Sequence, residues 1–169
     1  LREGEVLIHT GKSGAQMPFY VETQQGRIQA LGTHFTVRQL PDFTRVGVLE
    51  DRVSISPTDR PDLSRLLIAG ESAQFNRQSV GVSQPYSGAE AAWVDGQLIV
   101  LDARLGDVID ELGRYRPGVL QCDPASARLR VSGTFRLDST DAVLANLQAT
   151  LPIQVNYFTR YWVSVKRIG

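Results

Sequence analysis

Apolar residues recur at helical spacing in two stretches of this chain, and short β-like runs flank each one. Residues 96–169 therefore read as one small strand-helix-strand unit written twice. In "LDARLGDVIDELGRY" the stripe is Leu105, Val108, Ile109 and Leu112; in "LDSTDAVLANLQATL" it is Thr140, Val143, Leu144 and Leu147, with Leu151 one turn further. Positions i, i+3, i+4 and i+7 share one face of a helix, so each helix has one side to bury. Asp102 and Asp138 stand ahead of the stripes as candidate N-caps, and Pro117-Gly118 stops the first helix. The spacing predicts strand 97–101, helix 104–115, strand 119–122, strand 128–135, helix 139–150, strand 153–157 and strand 161–167. The last two form a hairpin through Phe158, Thr159 and Arg160.

Residues 1–83 have a different rhythm. "EVLIHT", "PFYVET", "RIQALGTHFTVRQL", "RVGVLEDRVSISP" and "LLIAGESAQFN" are β-like segments separated by Gly, Pro, Asp and Ser about every ten residues, as in a sandwich, barrel or solenoid. Gly26, Gly32, Gly47 and Gly70 fall at or near the junctions. Residues 84–96, with Pro85, Gly88 and a run of alanines, read as a linker, with Trp93 packing where the second domain begins. The expected fold is mostly β with an α+β part: a β-rich sandwich or solenoid-like domain over 1–83, then two β-α-β units over 97–169.

Charge excludes one class of function. The chain carries 18 basic and 18 acidic residues, divided as nine of each sign in 1–85 and nine of each in 86–169. No basic field is left to drive nucleic-acid binding. The single cysteine, Cys122, excludes an internal disulfide framework and reads as a small, half-buried hydrophobe. No run approaches the roughly 20 apolar residues that cross a bilayer. With Leu1 opening inside a β-like segment, the expectation is a soluble piece of a longer protein, without its targeting and anchoring segments.

The tempting catalytic strings fail on spacing. "TGKSG" (10–14) imitates the end of a phosphate loop, but Val6 stands where the loop's first glycine belongs, and strand-like sequence follows. His9 and His34 are 25 positions apart on different β segments, so no metal site or triad is expected of them. Glu50-Asp51 and Asp110-Glu111 diverge as neighbours and cannot share a proton. A heptad of Leu98, Leu105, Leu112 and Val119 resembles a coiled-coil seam, but Pro117 breaks it. Those four residues, with Val143, Leu144 and Leu147, are expected as core. No catalytic, cofactor or metal site follows, and the chain reads as non-enzymatic.

The last strand, "RYWVSVK", is the candidate contact element. Tyr161, Val163 and Val165 should face one way and Trp162, Ser164 and Lys166 the other. A terminal strand is commonly an edge strand, open to strand addition by a partner. "RYRPG" could add Arg114, Tyr115 and Arg116 beside it. The expected partner-binding set is thus Arg114, Tyr115, Arg116, Tyr161, Trp162, Val163, Ser164 and Lys166.

These segments also carry a resemblance. "LREGEVLIHT", "PFYVETQQGRIQALGTHFTVRQ", "TRVGVLEDRVSIS" and "IAGESAQFN" resemble the periplasmic part of the FecR/PupR family of transmembrane sigma regulators, or anti-sigma factors. "AAWVDGQLIVLDARLGDVIDELGRYRPGVL", "LRVSGTFRLDSTDAVLANLQATLP" and "RYWVSVK" resemble that family's C-terminal end, which is similar to the secretin and TonB short N-terminal (STN) domain. Asp51 departs from the family's usual glycine in "EGxV". The resemblance implies a FecR domain, then an STN-like domain, within a single-pass inner-membrane protein. It implies that the periplasmic region receives the signalling domain of an outer-membrane TonB-dependent siderophore receptor. It also implies that an ECF sigma factor binds only a cytoplasmic segment absent from this sequence. Two other classes compete: an envelope scaffold or secretin-like self-assembly module, and, more weakly, a carbohydrate-binding or hydrolytic β-solenoid using Phe19, Tyr20, Phe35, Phe43 and Phe75.

Overall fold

Ile28 and Ala30, Phe35 and Val37, Val46 and Val48, and Val53 and Ile55 each skip one residue, the period that sends alternate side chains to one face of a strand. In the computed structural model all eight point into one apolar core and are at most 1% exposed. The structure describes residues 1–11, 18–30 and 32–168, so Lys12, Ser13 and Gly14 of the "TGKSG" string lie outside the described residues. The chain divides into two compact units, Leu1–Ala91 and Ala92–Gly169.

The first unit is built from β1 (Gly4–His9), β2 (Phe19–Glu22), β3 (Gly26–Ala30), β4 (His34–Gln39), β5 (Thr44–Glu50), β6 (Arg52–Pro57), β7 (Arg65–Ile68), β8 (Glu71–Phe75) and β9 (Gln84–Pro85). Among the described residues these form two antiparallel sheets, ordered β1-β4-β5-β8-β9 and β2-β3-β6-β7. Both sheets supply the one core, with Phe75 and Leu67 beside the pairs above, which is the sandwich alternative rather than a solenoid. Phe35 and Phe75 are spent in that core and cannot line a carbohydrate groove. Beside it, Gln25, Gln39 and Thr44 bond to one another: Gln25 Oε1 accepts from Gln39 Nε2 at 2.7 Å and from Thr44 Oγ1 at 2.9 Å. Those buried polar groups are thereby satisfied.

Two positions differ from the sequence reading. Gly47 lies within β5, not at a junction: the Tyr86 ring covers it, and an added Cβ would sit 2.4 Å from that ring. Tyr86 donates to or accepts from Thr36 Oγ1 at 2.7 Å. Residues 84 and 85, read as linker, pair with Ser72 and Glu71 as β9. A 3-10 stretch, Gly88–Asp95, leads into the second unit.

The second unit contains β10 (Gln97–Arg104), α1 (Leu105–Gly113), β11 (Val119–Cys122), β12 (Arg130–Arg136), α2 (Thr140–Thr150), β13 (Ile153–Thr159) and β14 (Trp162–Arg167). Helix stripes sit where the 3.6 period puts them: Leu105, Val108, Ile109 and Leu112 are buried, as are Thr140, Val143, Leu144 and Leu147. They share a core with Ile153, Val163 and Val165, and Trp93, Leu98 and Cys122 pack on its margin. The pairing, however, is not that of two parallel β-α-β crossovers. β10 pairs antiparallel with β12, while β11 runs parallel and β13 antiparallel to β14. The strands before and after each helix thus belong to different sheets.

Three local expectations are corrected. Asp102 and Asp138 do not cap the helices; Arg104 and Ser139 occupy those positions without a side-chain bond to the helix. The first N–H of α1 is satisfied instead by the carbonyl of Leu129 at 2.8 Å. Asp102 holds φ at +50° beside a register shift in β10, and Asp138 pairs with Arg136. Val119 is half exposed and leaves the heptad, because on β11 the neighbouring Leu120 turns toward the helices.

Candidate functional site

The β13-β14 turn gathers aromatic side chains that the core does not take. Tyr157, Phe158, Tyr161 and Trp162 are each about half exposed, and the Phe158 and Trp162 rings lie 5.0 Å apart. The Arg160 guanidinium stands 4.5 Å over the Tyr161 ring and donates to its hydroxyl. Alternation along β14 explains the split: Val163 and Val165 are fully buried, so Trp162 and Lys166 project to solvent. Exposed aromatic clusters of this kind are costly to leave in water and mark contact surfaces.

The segment after α1 positions this turn. Arg116 donates to the Asp141 carboxylate at 2.9 Å and to the Arg160 carbonyl at 3.3 Å, with its side chain only 7% exposed. The Tyr157 hydroxyl donates to the same carboxylate at 3.2 Å. Burial, then the charge of Asp141, raises the Tyr157 phenol above its ordinary pKa and keeps it a donor. Gly118, at φ +94°, lets the chain pass against the turn: an added Cβ would lie 2.1 Å from the Tyr161 carbonyl oxygen, which accepts from the Val119 N–H at 2.7 Å.

Against the sequence-derived set, Tyr161, Trp162 and Lys166 are exposed, whereas Val163 and Ser164 are buried and cannot touch a partner in this state. Arg116 is a buried strut rather than a solvated helix end. Arg114 pairs with Glu111 at 2.6 Å, and Tyr115 packs on the second core. β14 is not an edge. It is the middle strand of the order β11-β14-β13, so its N–H and C=O groups are committed on both sides. The open edges are β11 and β13, and on β13 the Val155 N–H is already taken by Gln148 Oε1 at 2.6 Å. Sequence reading missed Tyr157 and Asp141, since nothing local signals a bond from Asp141 to Arg116.

In the first unit, His9 and His34 are brought together. They are direct partners across β1 and β4, with ring centroids 5.1 Å apart. Cys122 is partly buried as expected, and burial, helped by Asp123 and Asp110, pushes its thiol up to about 11. Among the described residues no three His, Cys, Asp or Glu side chains form a metal cluster, and no helix is long and apolar enough to cross a membrane.

Residues 1–54, from β1 into β6, match the family model described as FecR protein. Two crystal structures from Parabacteroides distasonis ATCC 8503, each provisionally described as an anti-sigma factor, share the fold across 99% of this chain. One aligns at TM-score 0.77 with 22% identity over 79% of its own length, the other at 0.76 with 21% identity over 78%. No curated protein matches. The FecR match thus covers the first part of the sandwich, and the fold likeness runs on through the second unit that carries the aromatic turn.

Proposed function

We propose that this chain is the periplasmic signal-receiving region of a single-pass, inner-membrane sigma regulator of the FecR type. Its second unit acts as an STN-like domain that binds the N-terminal signalling domain of an outer-membrane TonB-dependent siderophore receptor. That contact controls an ECF sigma factor, held by a cytoplasmic segment beyond this sequence, and with it iron-uptake transcription. The reading rests above all on the exposed aromatic turn, Tyr157, Phe158, Tyr161 and Trp162, supported on the Arg116–Asp141 strut. Aromatic residues beside arginine are the side chains that concentrate binding energy at protein interfaces. The FecR match and the likeness to anti-sigma structures support the regulator class.

Calorimetry and co-elution with the isolated signalling domain test it. A saturable one-to-one complex is expected, and Trp162→Ala should weaken it by about 2 kcal/mol while leaving the fold intact. No heat and no co-elution would sink the receptor reading. Concentration-dependent self-association without the receptor domain would instead favour a scaffold.

A further inference from the structure

We propose that His9 and His34 form a two-imidazole chelate for a divalent transition-metal ion on the outer face of the first unit. The register places them directly opposite each other at one end of the β1-β4 ladder, with rings stacked at 5.1 Å and 27° between their planes. Both side chains point away from the core, because their neighbours Ile8 and Phe35 are the inward-facing residues of that ladder.

The backbone holds the pair in place. One step beyond it, Thr10 N–H donates to the Thr33 carbonyl at 2.9 Å, Thr33 N–H donates to Thr10 Oγ1 at 2.8 Å, and that hydroxyl donates to the Thr33 carbonyl at 3.3 Å. This clasp fixes the strand separation, so the pair is presented without prior ordering of a loop. Neutral imidazole nitrogen suits zinc, nickel and copper, at metal–nitrogen distances of about 2.0–2.1 Å for zinc. Directly opposed residues of an antiparallel pair have Cβ atoms about 4.5–5.5 Å apart, within reach of one shared ion. Glu50 on β5 is the cross-strand partner of His34, beside a register shift, but no third side chain among the described residues completes a cluster. Among the described residues the chelate is thus bidentate, which leaves further coordination positions for water or another donor.

Isothermal titration of the untagged chain with Zn²⁺ and with Ni²⁺ tests the site. One ion per chain is expected, with affinity falling at least about tenfold in His9→Gln and in His34→Gln. The double variant should be no weaker than either single one, since one missing ring already breaks the chelate. Zn²⁺ should raise the melting temperature of the native chain and not of the variants. Should His34→Gln fail to fold, the exposed His9→Gln decides alone. Unchanged affinity in a folded His9→Gln, or a loss that follows only one of the two histidines, overturns the proposal.

Discussion

Asp51 holds φ at +60° in the turn between β5 and β6, where the backbone enters the left-handed region that glycine occupies without steric cost. Aspartate tolerates this region better than most residues, so its place where the resembled motif has glycine affects one turn only, and β5 and β6 keep their pairings in separate sheets. Asp51→Val should lower the stability of the first unit by about 1–2 kcal/mol, and Asp51→Gly should not, as read by chemical denaturation. At Cys122 the raised pKa leaves the thiol protonated at neutral pH. Alkylation of the native chain by iodoacetamide at pH 7.5 should therefore be slow, and it should accelerate sharply once the second unit unfolds. Both residues were readable from the sequence, as a departure from a motif and as a half-buried hydrophobe. The Arg116–Asp141 bond was not, because it joins residues that only the packing of α1, α2 and the turn brings together.

Elements were most legible where a helical stripe had to be buried. Leu112 is fully buried and Val119 half exposed, although both belong to the same sevenfold leucine pattern. Leu112→Ala should cost about 2–5 kcal/mol in a denaturant titration of the second unit. Val119→Ala should change stability by no more than about 0.5 kcal/mol. A pattern of seven was legible, but its last member lay on a strand with period two, where one step flips the facing side. The ends of elements were less legible. Asp123, which follows β11, accepts the backbone N–H groups of Ser126 and of Arg167 at the end of β14. Those bonds hold its carboxyl below the usual range. A depressed folded pKa stabilises at pH above the unfolded value, about 4, and the contribution is lost as pH falls through the folded value. The melting temperature of the second unit should thus drop below pH 4, and Asp123→Asn should flatten that limb.

Across the whole molecule, the sequence showed where strands and helices fall better than it showed which strands meet. The parallel pairing of β11 with β14 skips over β12, α2 and β13, and nothing local encodes so distant a partner. That is why β14 was expected at an edge and lies in the middle, and why the proposed contact surface is the aromatic turn rather than its backbone. Vectorial synthesis meets the same order. β11 emerges first and must wait, unpaired, until β14 has been made, while β13 has no neighbour before then. An arrest or cleavage between β13 and β14 would therefore leave two open strands and no third to join them, a state exposed to proteolysis and to pairing with other chains. A nascent second unit is thus a substrate for quality control until residues Trp162–Arg167 arrive.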